Sequence, residues 1–275
     1  VKKVHGLRFV YRGGRISPVR TFLQNSRDVF ARGWGENKVL FREYLEPFEP
    51  DVVLSDFEPF TAWWAWRRKV PFISTDHEHL LTFCELEKVS GGFLSRLNSE
   101  VVTRCYYFGA ERYLVPNFFR APVTHKRAVL VPPVLREDVL KYEPCEGEHI
   151  VFYSTDRSSK SKWVERFARF ADVRFFIYGF DVDEEKGNCV FRRTSTEGFL
   201  RDLASCRAVI ATAGFTLISE CMHYRKKMLL VPIPGQYEQM LNAHYVQKLG
   251  LGLKAEEVSG EKISEFLELA EEPGA

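Results

Sequence analysis

Between Ala208 and Gly252 a strand-turn-helix pattern occurs twice in succession, and no other stretch restricts the fold of this chain as tightly. Ala208 to Ala211 is an apolar run whose β-branched members suit a strand buried on both faces. Thr212-Ala213-Gly214 turns the chain, and Phe215 to His223 reads as a helix with Leu217, Ile218 and Cys221 on its inner side. A second strand, Met228 to Val231, ends at Pro232-Ile233-Pro234-Gly235, and a second helix, Gln236 to Leu249, stops at Gly250. Two consecutive units of this kind require a parallel sheet, and open parallel sheets bind ligands where strands end and helices begin.

The polar residues of this stretch fall at those ends. Gly214 lets a phosphate approach the backbone, and the N–H groups of the next helical turn attract anions. Glu220, about one and a half turns further on, can accept both hydroxyls of a ribose. Glu238, Gln239 and Asn242 share neighbouring faces of the second helix and have the donors and acceptors that sugar hydroxyls need.

In this order of residues the stretch resembles the donor-binding half of GT-B glycosyltransferases, and among them the MurG-like transferases. The resemblance implies Gly214 and Thr216 beside a diphosphate, with Phe215 among the donor-binding residues, and Glu220 on a uridine ribose. It puts Glu238, Gln239 and Asn242 towards the transferred sugar, with Gln236 among the donor-binding residues. An ordinary Rossmann-like repeat with surface polar residues is the plain alternative.

The bulk properties are compatible with such an enzyme. At 275 residues, with 45% hydrophobic and 28% charged side chains, the chain can bury a full core, in two domains of ordinary size. It contains no apolar run of the length a membrane-spanning helix needs. Six cysteines without a C-x-x-C pair read as reduced core thiols of a cytoplasmic protein. The net charge of +2 is unevenly spread. Residues 1–136 hold 21 Lys and Arg against 14 Asp and Glu, and the remainder is acidic. A basic first half suits an anionic partner such as a lipid pyrophosphate or the inner face of a membrane.

Val1 to Tyr11 reads as a strand, and Ser17-Pro18 as the start of a helix that runs towards Phe48 with an interruption at Gly33 and Gly35. Members of the resembled family carry a glycine-rich turn before the equivalent of His5-Gly6-Leu7, so the resemblance implies an N-terminally incomplete first domain. Asp51 to Ser55 is the next strand, ending at Ser55-Asp56-Phe57-Glu58-Pro59-Phe60. Asp56 and Glu58 thus stand where catalytic carboxylates stand in parallel sheets, or else serve as a turn residue and a helix-start charge. The helix that follows combines Trp63, Trp64 and Trp66 with Arg67, Arg68 and Lys69, a composition suited to a membrane interface or a lipid acceptor. Three tryptophans in four positions cannot share one helix face, so at least one belongs to the core or to a partner. The strand Val70 to Thr75 leads into Asp76-His77-Glu78-His79. With no third ligand at a fitting spacing, this run reads as acceptor-side contacts (Asp76, His77) and a candidate base (His79), not as a metal centre.

Pro132-Pro133 and the run Glu143 to Glu148 bracket the expected linker, giving domains 1–143 and 148–275. After the strand His149 to Tyr153, Ser154 and Thr155 are candidates for phosphate or sugar contact, or ordinary helix caps. Asp181-Val182-Asp183 is formally a metal-nucleotide D-x-D, but it heads a charged segment, Glu184 to Asn188, that reads as solvated loop. By resemblance Phe191 and Arg192 contact the base, mainly through main-chain groups. The sequence therefore predicts an α/β GT-B fold, two Rossmann-like domains with parallel sheets facing a cleft. The expected activity is inverting transfer of a hexosamine from a UDP-sugar to a hydroxyl or lipid-linked acceptor, without a metal or other cofactor. A UDP-sugar 2-epimerase or a non-catalytic sugar-nucleotide module are the alternatives. The basic residues show no RNA-binding motif with interleaved aromatics, so no nucleic-acid partner is expected.

Overall fold

The computed structural model describes residues 2–6, 10–12, 15–16, 20, 23–24, 27, 33–89, 93–106, 109–154 and 160–271. By their internal contacts they form two units, Val1–Pro133 with Pro234–Glu238, and Val134–Ile233 with Gln239–Ala275.

The first unit opens with a two-stranded antiparallel ribbon, β1 (Tyr11–Arg12) and β2 (Arg15–Ile16). The strand expected from Val1 is not formed over residues 2–6, which are irregular. Ser17 and Pro18, the expected helix start, lie outside the described residues. Helix α1 (Trp34–Leu40) continues as a π-helical turn, Phe41–Leu45. A four-stranded parallel sheet follows in the order β3 (Val53–Ser55), β4 (Phe72–Thr75), β5 (Arg112–Pro116), β6 (Ala128–Val131). Between β3 and β4 lies α2 (Pro59–Arg68); between β4 and β5 lie the 3-10 turn His77–His79, α3 (Leu80–Phe83) and α4 (Phe93–Tyr106). Helix α2 starts at Pro59, with Glu58 as its N-cap. Pro59 occupies the first helical position, and the Glu58 carboxylate accepts from Phe60 N (2.9 Å) and Thr61 N (2.8 Å). Val53, Ala62, Ala65, Phe72 and Tyr113 form the core on this side of the sheet.

In the second unit β7 (Ile150–Tyr153), β8 (Phe175–Tyr178), β10 (Cys189–Phe191), β11 (Ala208–Ala211), β12 (Lys227–Leu230) and β13 (Gly252–Lys254) are parallel, and β9 (Glu184–Lys186) runs antiparallel on the edge. The spatial order is β13-β12-β11-β7-β8-β10-β9, so chain order reverses between β7 and β11. Helices α5 (Lys160–Phe167), α6 (Thr196–Ser205), α7 (Phe215–His223), α8 (Tyr237–Lys248) and α9 (Gly260–Glu271) connect or follow the strands. The four residues of β11 are fully buried, as the unbroken apolar run requires. Ile150, Phe167, Phe175, Ile177, Ile210 and Phe266 lead the core, where Phe167 and Phe175 stack at 4.1 Å.

Two further segments depart from the sequence reading. Glu184–Lys186, expected as loop, is the edge strand β9. Pairing with β10 fixes it, and its charges suit an exposed edge. The three-residue β13 was not anticipated; Gly252 makes it possible, because a Cβ there would lie 1.8 Å from the Met228 carbonyl oxygen. Cys84, Cys189, Cys206 and Cys221 are buried as expected, whereas Cys145 is exposed. Among the described residues no helix is long and apolar enough to cross a membrane.

Candidate functional site

Where the strand order reverses, the C-terminal ends of β7 and β11 border a cavity of about 350 Å³. Tyr153 closes it from β7; Thr212, Gly214, Phe215, Thr216 and Leu217 come from the turn after β11 and the first turn of α7. Thr194, Ser195, Thr196 and Phe199 line the opposite side, from the start of α6. Gly214 is the N-cap of α7 and no side chain caps the helix, so its amide end faces this space with the positive end of its dipole. Gly214 has an ordinary extended conformation (φ −71°), and a Cβ added there would meet nothing within 4 Å. Backbone strain does not demand a glycine here; what the missing side chain leaves is room beside the backbone.

Glu220 projects into the same cavity with a relative exposure of 2%. Its Oε1 accepts from Arg136 Nε (2.9 Å) and lies 2.7 Å from Arg136 Nη2. Burial pushes the Glu220 carboxyl up, and the Arg136 guanidinium opposes that. Arg136 is held in place by its own neighbourhood. The 3-10 turn that follows it, Glu137–Lys141, buries Val139, whose carbonyl accepts from the Tyr224 hydroxyl at 2.7 Å.

The other expected donor-side residues are distributed more widely. Ser154 is buried and its amide bonds Tyr178 O at 3.2 Å. Thr155 lies outside the described residues. Phe191 is core, packed edge-on against Phe180, and Arg192 pairs with Asp202 (3.2 Å) over the Phe176 ring. Both line a neighbouring cavity of about 560 Å³, which shares Ser195 with the first. Gln239 and Asn242, expected on sugar hydroxyls, have buried side chains engaged with the protein. Gln239 Oε1 accepts from Ile233 N (3.0 Å), and Asn242 Nδ2 donates to Ala213 O (3.2 Å), bracing the turn that leads to Gly214. Gln236 and Glu238 group with the first unit. Asp183 of the D-x-D accepts from Arg193 N (2.9 Å), and among the described residues no three His, Cys, Asp or Glu side chains converge as a metal site.

The first unit concentrates titratable groups at the ends of β3 and β4. Asp76 caps the turn His77–His79: its Oδ1 accepts from His79 N (3.1 Å) and its Oδ2 from Ser74 Oγ (3.0 Å). The His79 imidazole is buried against Phe83, with Nε2 2.9 Å from Ser74 Oγ and 3.2 Å from Asp76 Oδ2. His77 Nδ1 lies 2.8 Å from Pro116 O and its Nε2 3.8 Å from Glu238 Oε1. Burial raises the Asp76 carboxyl to about 7, with the Asp56 charge adding to it. Glu78, partly buried, is raised to about 8 by burial and by the charges of Glu238 and Asp76. Burial lowers His79 to about 3, so its imidazole is neutral at physiological pH. Of the three candidate bases, Glu58 is committed to capping α2 and His79 is enclosed. Asp56 is exposed, with burial of its inner part raising its carboxyl, and it makes no hydrogen bond or ion pair among the described residues.

The sequence pattern of glycosyl transferase family 1 matches residues 1–270. The chain belongs to that family. A relative, an uncharacterised glycosyltransferase of Methanopyrus kandleri, is 41% identical over 64 residues, which span 22% of this chain and 19% of that protein. Solved structures share the GT-B fold. The glycosyltransferase of kitacinnamycin superposes with a TM-score of 0.60 at 19% identity, over 92% of this chain and 74% of its own. The calicheamicin glycosyltransferase CalG4 gives 0.56 at 19%, over 96% and 74%. Phytolacca americana UGT2, solved with UDP-2-fluoro-glucose and pterostilbene, gives 0.59 at 13%, over 86% and 70%.

In this family 1 chain the cavity therefore combines three chemistries: an amide-lined helix end for an anion, a buried carboxylate for a diol, and a wall of Tyr153, Phe199 and Leu217 for a flat apolar group. Sequence reasoning placed Gly214, Phe215, Thr216 and Glu220, which the structure brings together. It missed Arg136, Tyr153 and Phe199. No local motif marks Arg136, whose partner is 84 residues away in the chain.

Proposed function

We propose that the chain is a glycosyltransferase whose second unit binds a UDP-sugar, with N-acetylglucosamine as the sugar transferred. The observation that carries this reading is the cavity at the strand-order reversal, with the uncapped end of α7 and the buried Glu220 facing one space. The helix end and Thr216 hold the diphosphate, Glu220 accepts the ribose hydroxyls, and main-chain groups near Thr194 meet the base. A structural neighbour solved with UDP-2-fluoro-glucose supports a nucleotide-sugar donor on this fold. In the reaction, the acceptor oxygen bonds to the anomeric carbon on the face opposite the diphosphate while the bond from that carbon to the diphosphate oxygen breaks. The electron pair leaves with UDP, and the acceptor proton passes to a base, for which the exposed carboxylate of Asp56, without an ion pair among the described residues, is the candidate. Diphosphate charge is met by helix amides without a metal, and the acceptor is a hydroxyl on a lipid-linked or polymeric molecule.

Calorimetric titration with UDP, UDP-N-acetylglucosamine and ADP tests the donor half. Uridine-selective binding, weakened about 30-fold in Glu220→Ala (about 2 kcal/mol for charge-assisted bonds to two hydroxyls), is expected. No preference for uridine, or an unaffected variant, would sink the assignment. UDP release that appears only with an acceptor distinguishes transfer from epimerisation and from binding alone.

A further inference from the structure

We propose that Asn242 is a positioning residue for the donor diphosphate: it acts from behind the cavity by fixing the turn that aims the amide end of α7, and it does not touch the transferred sugar. The inference rests on the donor reading given above. Between β11 and α7 neither sheet nor helix holds the chain. Past the paired residues of β11 and β12, Val231 N still bonds Ala211 O (2.9 Å), and helical bonding begins with Ile218 N on Gly214 O (3.2 Å). Ala213, in the gap, is held from outside, its carbonyl accepting from Asn242 Nδ2 at 3.2 Å. The peptide between Ala213 and Gly214 is trans, so its carbonyl and its N–H point to opposite sides. With the carbonyl tied to α8, the Gly214 amide is turned away from α8, at the head of the uncapped turn 214–217 that borders the cavity.

The placement of Asn242 points the same way. It has no exposed surface in the middle of α8, between Leu241 and Ala243, which are equally enclosed. Asparagine is a poor residue for a helix interior, and a buried amide is costly unless bonded, so its place is explained by what it bonds. Neither Asn242 nor Ala213 is among the described residues that line the cavity. A side chain without exposed surface reaches no sugar hydroxyl, but it can set the direction of amides that do face the cavity. Gln239, three residues earlier on α8, repeats the arrangement on the loop after β12, its Oε1 accepting from Ile233 N at 3.0 Å. Helix α8 thus braces two loops at once, and the amides of the α7 turn are ordered before a ligand arrives, as preorganised binding of an anion requires.

Calorimetry with uridine, UDP and UDP-N-acetylglucosamine, on the full chain and on Asn242→Ala, separates the roles, with a thermal melt as fold control. The variant should weaken UDP and UDP-N-acetylglucosamine by the same factor, about tenfold for one lost orienting hydrogen bond, and leave uridine binding unchanged. A loss confined to UDP-N-acetylglucosamine would make Asn242 a sugar contact and overturn the proposal. An equal loss with all three ligands, or no loss with any, overturns it as well, the first by showing a role in the fold alone. If the variant does not fold, unaltered protein labelled with 15N-asparagine decides the matter by NMR. The side-chain amide signals of Asn242 should shift alike with UDP and with UDP-N-acetylglucosamine, and a shift with the sugar nucleotide alone overturns the proposal. Wild-type protein that binds neither uridine nor UDP brings down the donor reading itself, and this proposal with it, a result distinct from each of the others.

Discussion

The two units handle buried carboxylates in opposite ways. In the second, Glu220 is enclosed but has a guanidinium bonded to it, and burial and the cation pull its proton affinity in opposite directions. In the first, Asp76 and Glu78 are crowded with Asp56 and Glu238 and have two histidines nearby, one of which cannot hold a proton at neutral pH. Enclosure raises a carboxyl; a fixed cation, or hydrogen bonds to the charged form, pull the other way. The paired carboxylate is the one suited to accept hydroxyls, and the crowded ones are suited to hold or exchange protons near neutrality.

Removing the cation should break the contrast with the largest effect. Arg136→Ala leaves Glu220 enclosed without its partner, and about 1–2 kcal/mol of stability should be lost at pH 8, an amount reduced for the half-exposed guanidinium. The loss should shrink as pH falls, because a protonated Glu220 no longer needs the cation. A pH-independent loss in chemical denaturation would show that the pair does not matter electrostatically.

Asp76→Asn sharpens the comparison from the other side. The folded carboxyl sits near 7, above its ordinary value, so the folded state binds more protons than the unfolded one between roughly pH 4 and pH 7. Stability from this group is therefore present at low pH and lost as pH rises through that window. Glu78 acts in the same sense up to about 8, whereas His79, lowered to about 3, acts oppositely and only below its ordinary value. Melting followed from pH 6.5 to 8 should show the first unit weakening, and the variant should recover about 1 kcal/mol at pH 8. An unchanged slope would place the titration on another group.

Gly214→Ala should produce the smallest change in stability, within about 0.5 kcal/mol, because the backbone is ordinary there and the space is open. The added methyl should nevertheless weaken UDP binding several-fold by filling the space beside the helix end. A variant that melts early but binds normally would mean that the glycine serves the fold.

Much of the fold was legible because its signals are local. The apolar run Ala208–Ala211, the turn at Gly214 and the helix Phe215–His223 were placed with their boundaries, and Glu58 in its alternative reading as a helix-start charge falls at the N-cap of α2. β9 and β13 were not legible, since their strand character comes from backbone pairing with β10 and β12 and not from their side chains. The same division runs through the site. Sequence spacing by itself determined that Gly214, Thr216 and Glu220 share the end of one strand and one helix, because a helix fixes what lies within two turns of its start. It could not determine that Arg136 reaches Glu220, that Gln239 and Asn242 brace loops, or that Asp76 and His79 lock one another inside the first unit. Those outcomes depend on which distant segments pack together and on what burial does to charge, and only the tertiary structure decides both.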